Sequence, residues 1–240
     1  MRLVLLHARV QTLELARYPA YVVPTLLLPA VFFLFFVPGR HGAAAERMVT
    51  FSGFAVIGVA FFQFGVGIAA ERVSPWESYV RTLPIGPAVR LTARLVSAAV
   101  FALAAAALVL FVAVLTTSAS LPAGRWALLA PGLLAATVPF ACLGIALGYW
   151  APARGALPIA NLLYLGLSYA GGLWFRAGDL PGGVSSISRY LPTRALADAL
   201  IGIAAGRLRP QPWLLLGVFA VVFAGFAAWG YRRDEGKRFR

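Results

Sequence analysis

The sequence predicts an all-α integral membrane protein with six membrane-spanning helices in one domain, residues 1–240. Of its residues, 61% are hydrophobic and only 12% are charged, whereas a soluble domain carries about a quarter charged residues. Each of six uncharged runs is longer than the roughly 18 residues that a spanning helix needs. The runs are 18–37, 48–70, 95–124, 126–153, 155–175 and 210–231.

Residues 1–17 precede the first run and predict an amphipathic helix. Its two faces are apolar (Leu3, Leu6, Val10, Leu13) and polar (Arg2, Arg9, Gln11, Glu14). Such a helix lies in the membrane interface and does not cross it. The first run itself is longer than the apolar part of a signal peptide, and we expect it to be retained as a span.

The spans are rich in small residues that allow helices to approach closely. Gly144 and Gly148 in the fourth run form a GxxxG pair, a common packing signal. The third and fourth runs are too long for one span each, so part of each is expected to be loop or interface.

Residues 71–94 form a polar segment between the second and third runs, called here the coupling segment. Ser74 and Glu77 fit a capping box and Pro75 fits the first helical position, so the sequence predicts a short helix that ends near Pro84. Its apolar stripe is Trp76, Tyr79, Val80 and Leu83, and its polar side is Glu77, Ser78, Arg81 and Thr82. Two interpretations are open: an interfacial helix resting on lipid, or a docking helix for a soluble partner.

Residues 176–210 form a second polar segment, before the last run. Pro192 begins a predicted helix with an apolar side, and Gly206 ends it. Arg194 and Asp198 are spaced to pair on its polar side. The helix is only about two-thirds of a spanning length, so we expect it to lie at, or dip into, the outer interface.

The distribution of basic residues predicts the orientation. With both termini in the cytoplasm, 13 Lys and Arg residues lie inside and 8 outside, which fits the positive-inside rule. The coupling segment is then cytoplasmic and residues 176–210 face out. The net charge of +13 is interpreted as attraction to anionic membrane lipids and not to nucleic acid.

The sequence lacks the motifs that are typical of several kinds of functional site. The chain has no Walker phosphate-binding loop and no HExxH, and its single Cys142 and two separated histidines give no metal pattern. No Asp, Glu, Lys or Arg lies in the central part of a run, where ion-coupled transporters keep an ionisable residue. We therefore expect that the chain is not an enzyme and binds no cofactor. Energy for uphill transport would come from another polypeptide.

The chain resembles the six-span permease subunits of ABC-2 type exporters. The resemblance rests on the N-terminal helix, on Glu71-Arg72, Trp76 and Arg81-Thr82-Leu83-Pro84 after span two, and on the outer helical segment before span six. It implies a bacterial inner-membrane protein with cytoplasmic termini. It also implies a second permease subunit, identical or related, and separate nucleotide-binding ATPase subunits that carry the ATP and Mg²⁺. Six residues would then lie at or near the ATPase contact: Glu71, Arg72, Trp76, Glu77, Tyr79 and Arg81.

The sequence limits the nature of the cargo in one way only. No charged residue lies in the central part of a run, which favours a hydrophobic or amphipathic cargo molecule. Candidate path residues are Phe32, Phe36, Phe61, Gln63, Phe64 and Asn161. Packing between helices or against lipid explains the phenylalanines equally well. An interhelical hydrogen bond is the favoured role of Gln63, and helix contacts are the favoured role of Asn161. The alternative functions are a membrane assembly factor or membrane enzyme without transport, and a secondary transporter.

Overall fold

The computed structural model describes residues 2–37, 44–75, 79 and 86–238, and the regular structure within these ranges is entirely helical. The helices are α1 (Arg2–Ala16), α2 (Pro19–Phe36), α3 (Ala44–Glu71), α4 (Pro87–Thr116), α5 (Ala123–Trp150), α6 (Ala153–Ala170), α7 (Gly182–Ser188), α8 (Pro192–Ala205) and α9 (Pro210–Arg238). A π-helical stretch, Phe61–Val66, interrupts α3, and a short 3₁₀ turn, Ala177–Asp179, precedes α7.

Within the described ranges, five helices are long and apolar enough to cross a membrane, namely α2, α3, α4, α5 and α9. The helix of the fifth predicted span, α6, has 18 residues but carries Arg154, Pro158 and Asn161, and it is not among the five. The long third run is helical only to Thr116 and continues as a loop, as its length predicted. The last helix extends beyond its uncharged run to Arg238, so the basic tail continues the helix of the last span.

The central element is α3. Every residue from Arg47 to Ala60 is buried, and α2, α4, α5, α6 and α8 all pack on this helix. A helix that is apolar on all sides is stable only where neighbours cover it on all sides. The centre of the helix bundle is therefore occupied by α3 and by the side chains that pack on it.

The GxxxG pair lies where α5 packs against α3, a partner that the sequence did not predict. A Cβ added at Gly144 would lie 2.6 Å from the Ala60 carbonyl oxygen, and one at Gly148 would lie 2.9 Å from the Phe64 carbonyl oxygen. Both carbonyls belong to the α3 backbone, which a side chain at either glycine would have to displace. This close crossing fixes the two helices where α3 changes from α- to π-helical geometry.

The short helix α8 is inserted among the long helices. Its apolar side, Leu196, Ala199, Leu200 and Ile203, is buried, and a Cβ at Gly53 of α3 would lie 2.6 Å from a Leu200 methyl. The predicted Arg194–Asp198 ion pair is present at 2.8 Å. Gly206 ends the helix in the left-handed region, with φ of 70°, which glycine adopts without steric cost. The segment therefore dips into the bundle.

Side-chain contacts define the two ends of the bundle. The end called here the coupling end gathers Arg72, Arg94, Tyr149 and Asp234, from the last turn or first turns of α3, α4, α5 and α9. The opposite, loop end gathers Arg47, Trp174, Arg125 and Ala204. The coupling segment and residues 176–210 therefore belong to opposite ends, as the predicted topology requires.

Candidate functional site

The coupling end is built around Arg72, which follows the last residue of α3. Its guanidinium donates hydrogen bonds to the carbonyl oxygens of Gly148 and Tyr149, both at 2.7 Å, and forms an ion pair with Asp234 at 2.8 Å. It also lies 5.8 Å from the centre of the Tyr149 ring. One side chain thus ties the end of α3 to the ends of α5 and α9.

The two carbonyl contacts have a physical reason. The last carbonyls of a helix have no amide partner within the helix, and they carry the negative end of the helix dipole. Gly148 and Tyr149 lie in the last turn of α5, which ends at Trp150. A guanidinium presents several donors in a planar fork, so Arg72 can satisfy both carbonyls while it neutralises the Asp234 carboxylate.

A second ion pair starts from the neighbouring residue. The Arg94 guanidinium on α4 donates to the Glu71 carboxylate, so the helices on both sides of the coupling segment are joined at their ends. The five residues Glu71, Arg72, Arg94, Tyr149 and Asp234 are called here the Arg72 cluster.

The end of α9 is held to α5 by aromatic contacts beside the cluster. The Tyr149 and Tyr231 rings meet edge to face at 5.5 Å, and the Arg233 guanidinium lies 4.7 Å from the Trp150 ring. The Trp150 and Trp229 rings are 4.8 Å apart. These contacts make the ends of α5 and α9 one packed unit.

The six predicted ATPase-contact residues fall into two groups. The structure describes Glu71 and Arg72 in the ion pairs above, and Tyr79 with 55% of its surface exposed. Trp76, Glu77 and Arg81 lie outside the described residues, as does most of the predicted coupling helix. The described residues show that the two ends of the coupling segment are anchored to spans by charged contacts.

The predicted path residues Phe32 and Phe36 lie in an aromatic cluster at the loop end. Both rings contact Trp174, with centroid distances of 5.3 and 5.7 Å, and Phe54 joins them at 5.6 Å from Phe32. Phe54 in turn stacks on Tyr164 of α6 at 4.4 Å. This cluster connects α2, α3, α6 and the segment after α6.

Phe61, Gln63 and Phe64 are buried in the α3 core. The Gln63 amide donates to the Ser97 hydroxyl at 3.1 Å, and the Tyr21 hydroxyl donates to the Gln63 carbonyl oxygen at 3.5 Å. Gln63 thus makes the interhelical hydrogen bonds that its position favoured, linking α2, α3 and α4. Asn161 donates to the Leu157 carbonyl one turn earlier in α6, at 3.2 Å.

Ion pairs hold the loop end together. Arg176 donates to Glu46 with two nitrogens, at 3.2 and 2.8 Å. Arg47 donates to the Trp174 carbonyl at 3.1 Å and lies 4.0 Å from Asp179. These contacts fix the segment after α6 on the first turn of α3.

Sequence reasoning missed Arg94 and Asp234 as members of a site. Both were counted only through the charge of their segments. A usable signal was present for Asp234, because it is a carboxylate within a tail that otherwise carries mostly Arg and Lys. The tail holds five Lys and Arg residues and two carboxylates, Asp234 and Glu235, and a carboxylate that is removed from water is usually paired.

Metal chemistry gains no support from the part of the chain that is described. No group of three or more His, Cys, Asp or Glu side chains there is placed to hold a metal ion. The contacts of the Arg72 cluster described above are ion pairs, hydrogen bonds and one contact of a guanidinium with a ring, and they join the ends of α3, α4, α5 and α9.

The fold and the charged ends define an all-helical protein with several apolar helices, the architecture of a multi-pass membrane protein. The chain is similar to YvfS of Bacillus subtilis (strain 168), which its name describes as a transport permease. The two are 24% identical over 180 residues, covering 72% of this chain and 74% of YvfS. This likeness confirms the recognition of a transport permease from the sequence. No family model matches the chain.

Proposed function

We propose that the chain is the permease subunit of an ATP-driven exporter of the ABC-2 type, in a bacterial inner membrane with both termini cytoplasmic. A separate nucleotide-binding subunit hydrolyses ATP and docks on the coupling segment, and this chain itself is not an enzyme. The likeness to a transport permease supports the permease role. The resemblance of residues 71–84 to the family's coupling region supports the ATP-driven class.

The Arg72 cluster is the observation that carries the proposal. The segment that would receive the ATPase is joined, within one residue of its start, to the ends of α5 and α9. Arg94 joins its other end to Glu71. A displacement of the segment would therefore move the ends of four helices together, because Arg72, Arg94 and Asp234 have little exposed surface and separating such charged partners is costly.

The route of the cargo follows from the filled centre. Since α3 is buried on all sides from Arg47 to Ala60, the middle of one chain has no room for a passing molecule. We place the path at the edge of the chain, between two permease subunits, either two copies or two related chains. In this arrangement α6 is the fifth span and brings the number of spans to six, and its Tyr164 packs it on α3 through Phe54.

A hydrophobic or amphipathic cargo fits the charges on the helices. The spans α2 and α9 are the least covered by other parts of the chain. Neither carries a charged residue, from Pro19 to Phe36 in α2 and from Pro210 to Tyr231 in α9. A path bordered by such helices offers a cation or an anion no compensating partner, which would make passage of an ion costly.

The test is transport in proteoliposomes that contain this chain and a Walker-type ATPase that co-purifies with it. Glu71→Ala combined with Arg81→Ala should leave membrane insertion intact and abolish both ATPase stimulation and ATP-dependent efflux of an amphipathic dye. Arg189→Ala at the loop end is the matched control and should transport normally. Unchanged stimulation in the double variant would refute the docking site, and proton-driven efflux without ATP would favour a secondary transporter.

A further inference from the structure

A groove at the loop end of the bundle lies apart from the Arg72 cluster. Its volume is about 450 Å³, and it is lined by Leu128, Pro131, Gly132, Ile203, Leu208, Arg209, Pro210 and Trp213. Ligand sites in proteins commonly enclose about 300–1,000 Å³. The lining comes from α5, α8 and the first turn of α9, so three elements build it.

The groove lies within the depth of one leaflet from the loop end. Its lining on α5, a helix that begins at residue 123, runs only from Leu128 to Gly132, and Gly132 is nine residues or about 13 Å from the start of the helix. The hydrocarbon core of a membrane is about 30 Å thick, or about 15 Å for each leaflet. Trp213 at the groove wall is of a type that favours the region just below the headgroups.

The chemistry of the groove is apolar with one cation. Arg209 is the only charged lining residue, and it is exposed directly before Pro210, the first residue of α9. A cation at the mouth of an apolar groove in the interface fits an amphiphile with an anionic head and an apolar tail.

The remaining charges of the loop end leave Arg209 available for such an anion. Each carboxylate at this end, within the described ranges, is paired with another arginine: Glu46 with Arg176, Asp179 with Arg47 and Asp198 with Arg194. Arg125 is held by the Ala204 carbonyl at 2.5 Å. A second copy of the chain would place like charges together, since Arg207 and Arg209 are both exposed here, and repulsion disfavours that occupant.

We propose that the groove between α5, α8 and α9 binds one anionic phospholipid of the surrounding leaflet, with an acyl chain along Leu128 and Gly132 and its phosphate at Arg209. Lipid binding in this groove presupposes that the chain lies in a membrane, but it does not depend on coupling to an ATPase.

Native mass spectrometry of the detergent-purified full chain tests the proposal. The chain is titrated with phosphatidylglycerol and with phosphatidylcholine of the same acyl composition. One bound phosphatidylglycerol is expected, preferred by about fivefold, since each arginine near the membrane surface contributes about 1 kcal/mol toward an anionic lipid. Equal binding of the two lipids would overturn the phosphate contact.

Two variants separate the head and tail contacts. Arg209→Gln should remove the preference for phosphatidylglycerol, whereas Leu128→Trp should fill the groove and remove one bound lipid of either kind. Leu128 is partly exposed, so the larger side chain can be accommodated at the surface without disturbing the core. Arg189→Gln, an exposed arginine of the same end outside the groove, is the matched control and should bind like the parent chain.

Two further outcomes would overturn the proposal. If inorganic phosphate displaces the lipid while Leu128→Trp has no effect, the site binds an anion without a tail. If Leu128→Trp changes the oligomeric state and leaves the number of bound lipids unchanged, the groove is covered by a second chain.

Discussion

Arg72 makes three kinds of contact at the end of α3. It satisfies two helix-terminal carbonyls, pairs with a carboxylate 162 positions later in the chain, and lies near an aromatic ring. In the sequence, Arg72 follows the end of an apolar run, and such a membrane boundary is a common position of arginine. Its partners depend on how α5 and α9 return to the same end, and local sequence does not contain that information.

The Arg72–Asp234 pair can be measured by a double-mutant cycle. Arg72→Gln should lower the free energy of unfolding by roughly 2–4 kcal/mol, because Asp234 and two carbonyls lose a charged partner in a region of low exposure. Asp234→Asn should cost less, and the double variant should show a coupling energy of about 1 kcal/mol or more. Chemical unfolding in detergent micelles provides the measurement.

Arg232→Gln is the control for this cycle. Arg232 is exposed on the same turn of α9, and its substitution should change stability by no more than about 0.5 kcal/mol. Additive effects of Arg72→Gln and Asp234→Asn would show that the two side chains do not interact in the folded protein.

At the scale of single elements, the helices follow from the sequence more directly than their packing does. Uncharged runs and proline or glycine boundaries predicted the existence of all the long helices, since apolar length and breakers are local properties. The burial of α8 and the central place of α3 are consequences of tertiary contacts. The phenylalanines of α3 illustrate the limit, because a lipid-facing, packed or path-lining phenylalanine has the same local pattern.

The crossing of α3 and α5 predicts unequal effects of two glycine substitutions. Gly144→Ala should destabilise the protein by roughly 1–3 kcal/mol, because its Cβ would lie 2.6 Å from the Ala60 carbonyl. Gly166→Ala in α6 meets no atom within 4 Å and should be neutral or stabilising by up to about 1 kcal/mol, as expected for alanine in a helix. Thermal unfolding in one detergent compares them.

The α3–α5 crossing would be refuted by the reverse order. If Gly166→Ala destabilised the chain as much as Gly144→Ala, the effect could not come from a backbone contact at Gly144.

The cap of α8 gives an independent prediction for that element. Gly206 has φ of 70°, and a Cβ there would lie 2.7 Å from the Arg125 guanidinium. Gly206→Ala should therefore cost about 1 kcal/mol or more in stability. Gly217→Ala in α9, where no atom lies within 4 Å, is the control, and an equal loss at both positions would contradict the cap.

At the scale of the whole molecule, charge bias and helix ends together predict the orientation. The sequence alone predicted N-in and C-in from basic residues, and the structure assembles the coupling segment and the C-terminal helix at one end. Five helices meet the requirements of length and composition for spanning. The count of six spans depends on α6, the helix of the fifth predicted span, whose polar residues weaken the local signal even though Tyr164 and Ser168 are buried within the fold.

Cysteine labelling tests the orientation. The background is Cys142→Ala, because Cys142 is the single cysteine of the chain. In intact cells, Arg209→Cys should react with a membrane-impermeant maleimide, whereas Arg232→Cys should react only after permeabilisation. Both positions are exposed, so burial does not account for a difference between them, and the opposite pattern would invert the proposed topology.

The central claim is that a separate ATPase delivers mechanical work at the segment between α3 and α4. Site-specific photo-crosslinking measures this contact most directly, with the photoreactive residue replacing Tyr79 in the coupling segment or Tyr190 at the loop end. Both tyrosines are exposed, at 55% and 69%, so accessibility is matched. The account predicts an adduct between the ATPase and the chain substituted at position 79, and none at position 190. An adduct at position 190 alone, or none at position 79 in an assembly that hydrolyses ATP, would contradict it.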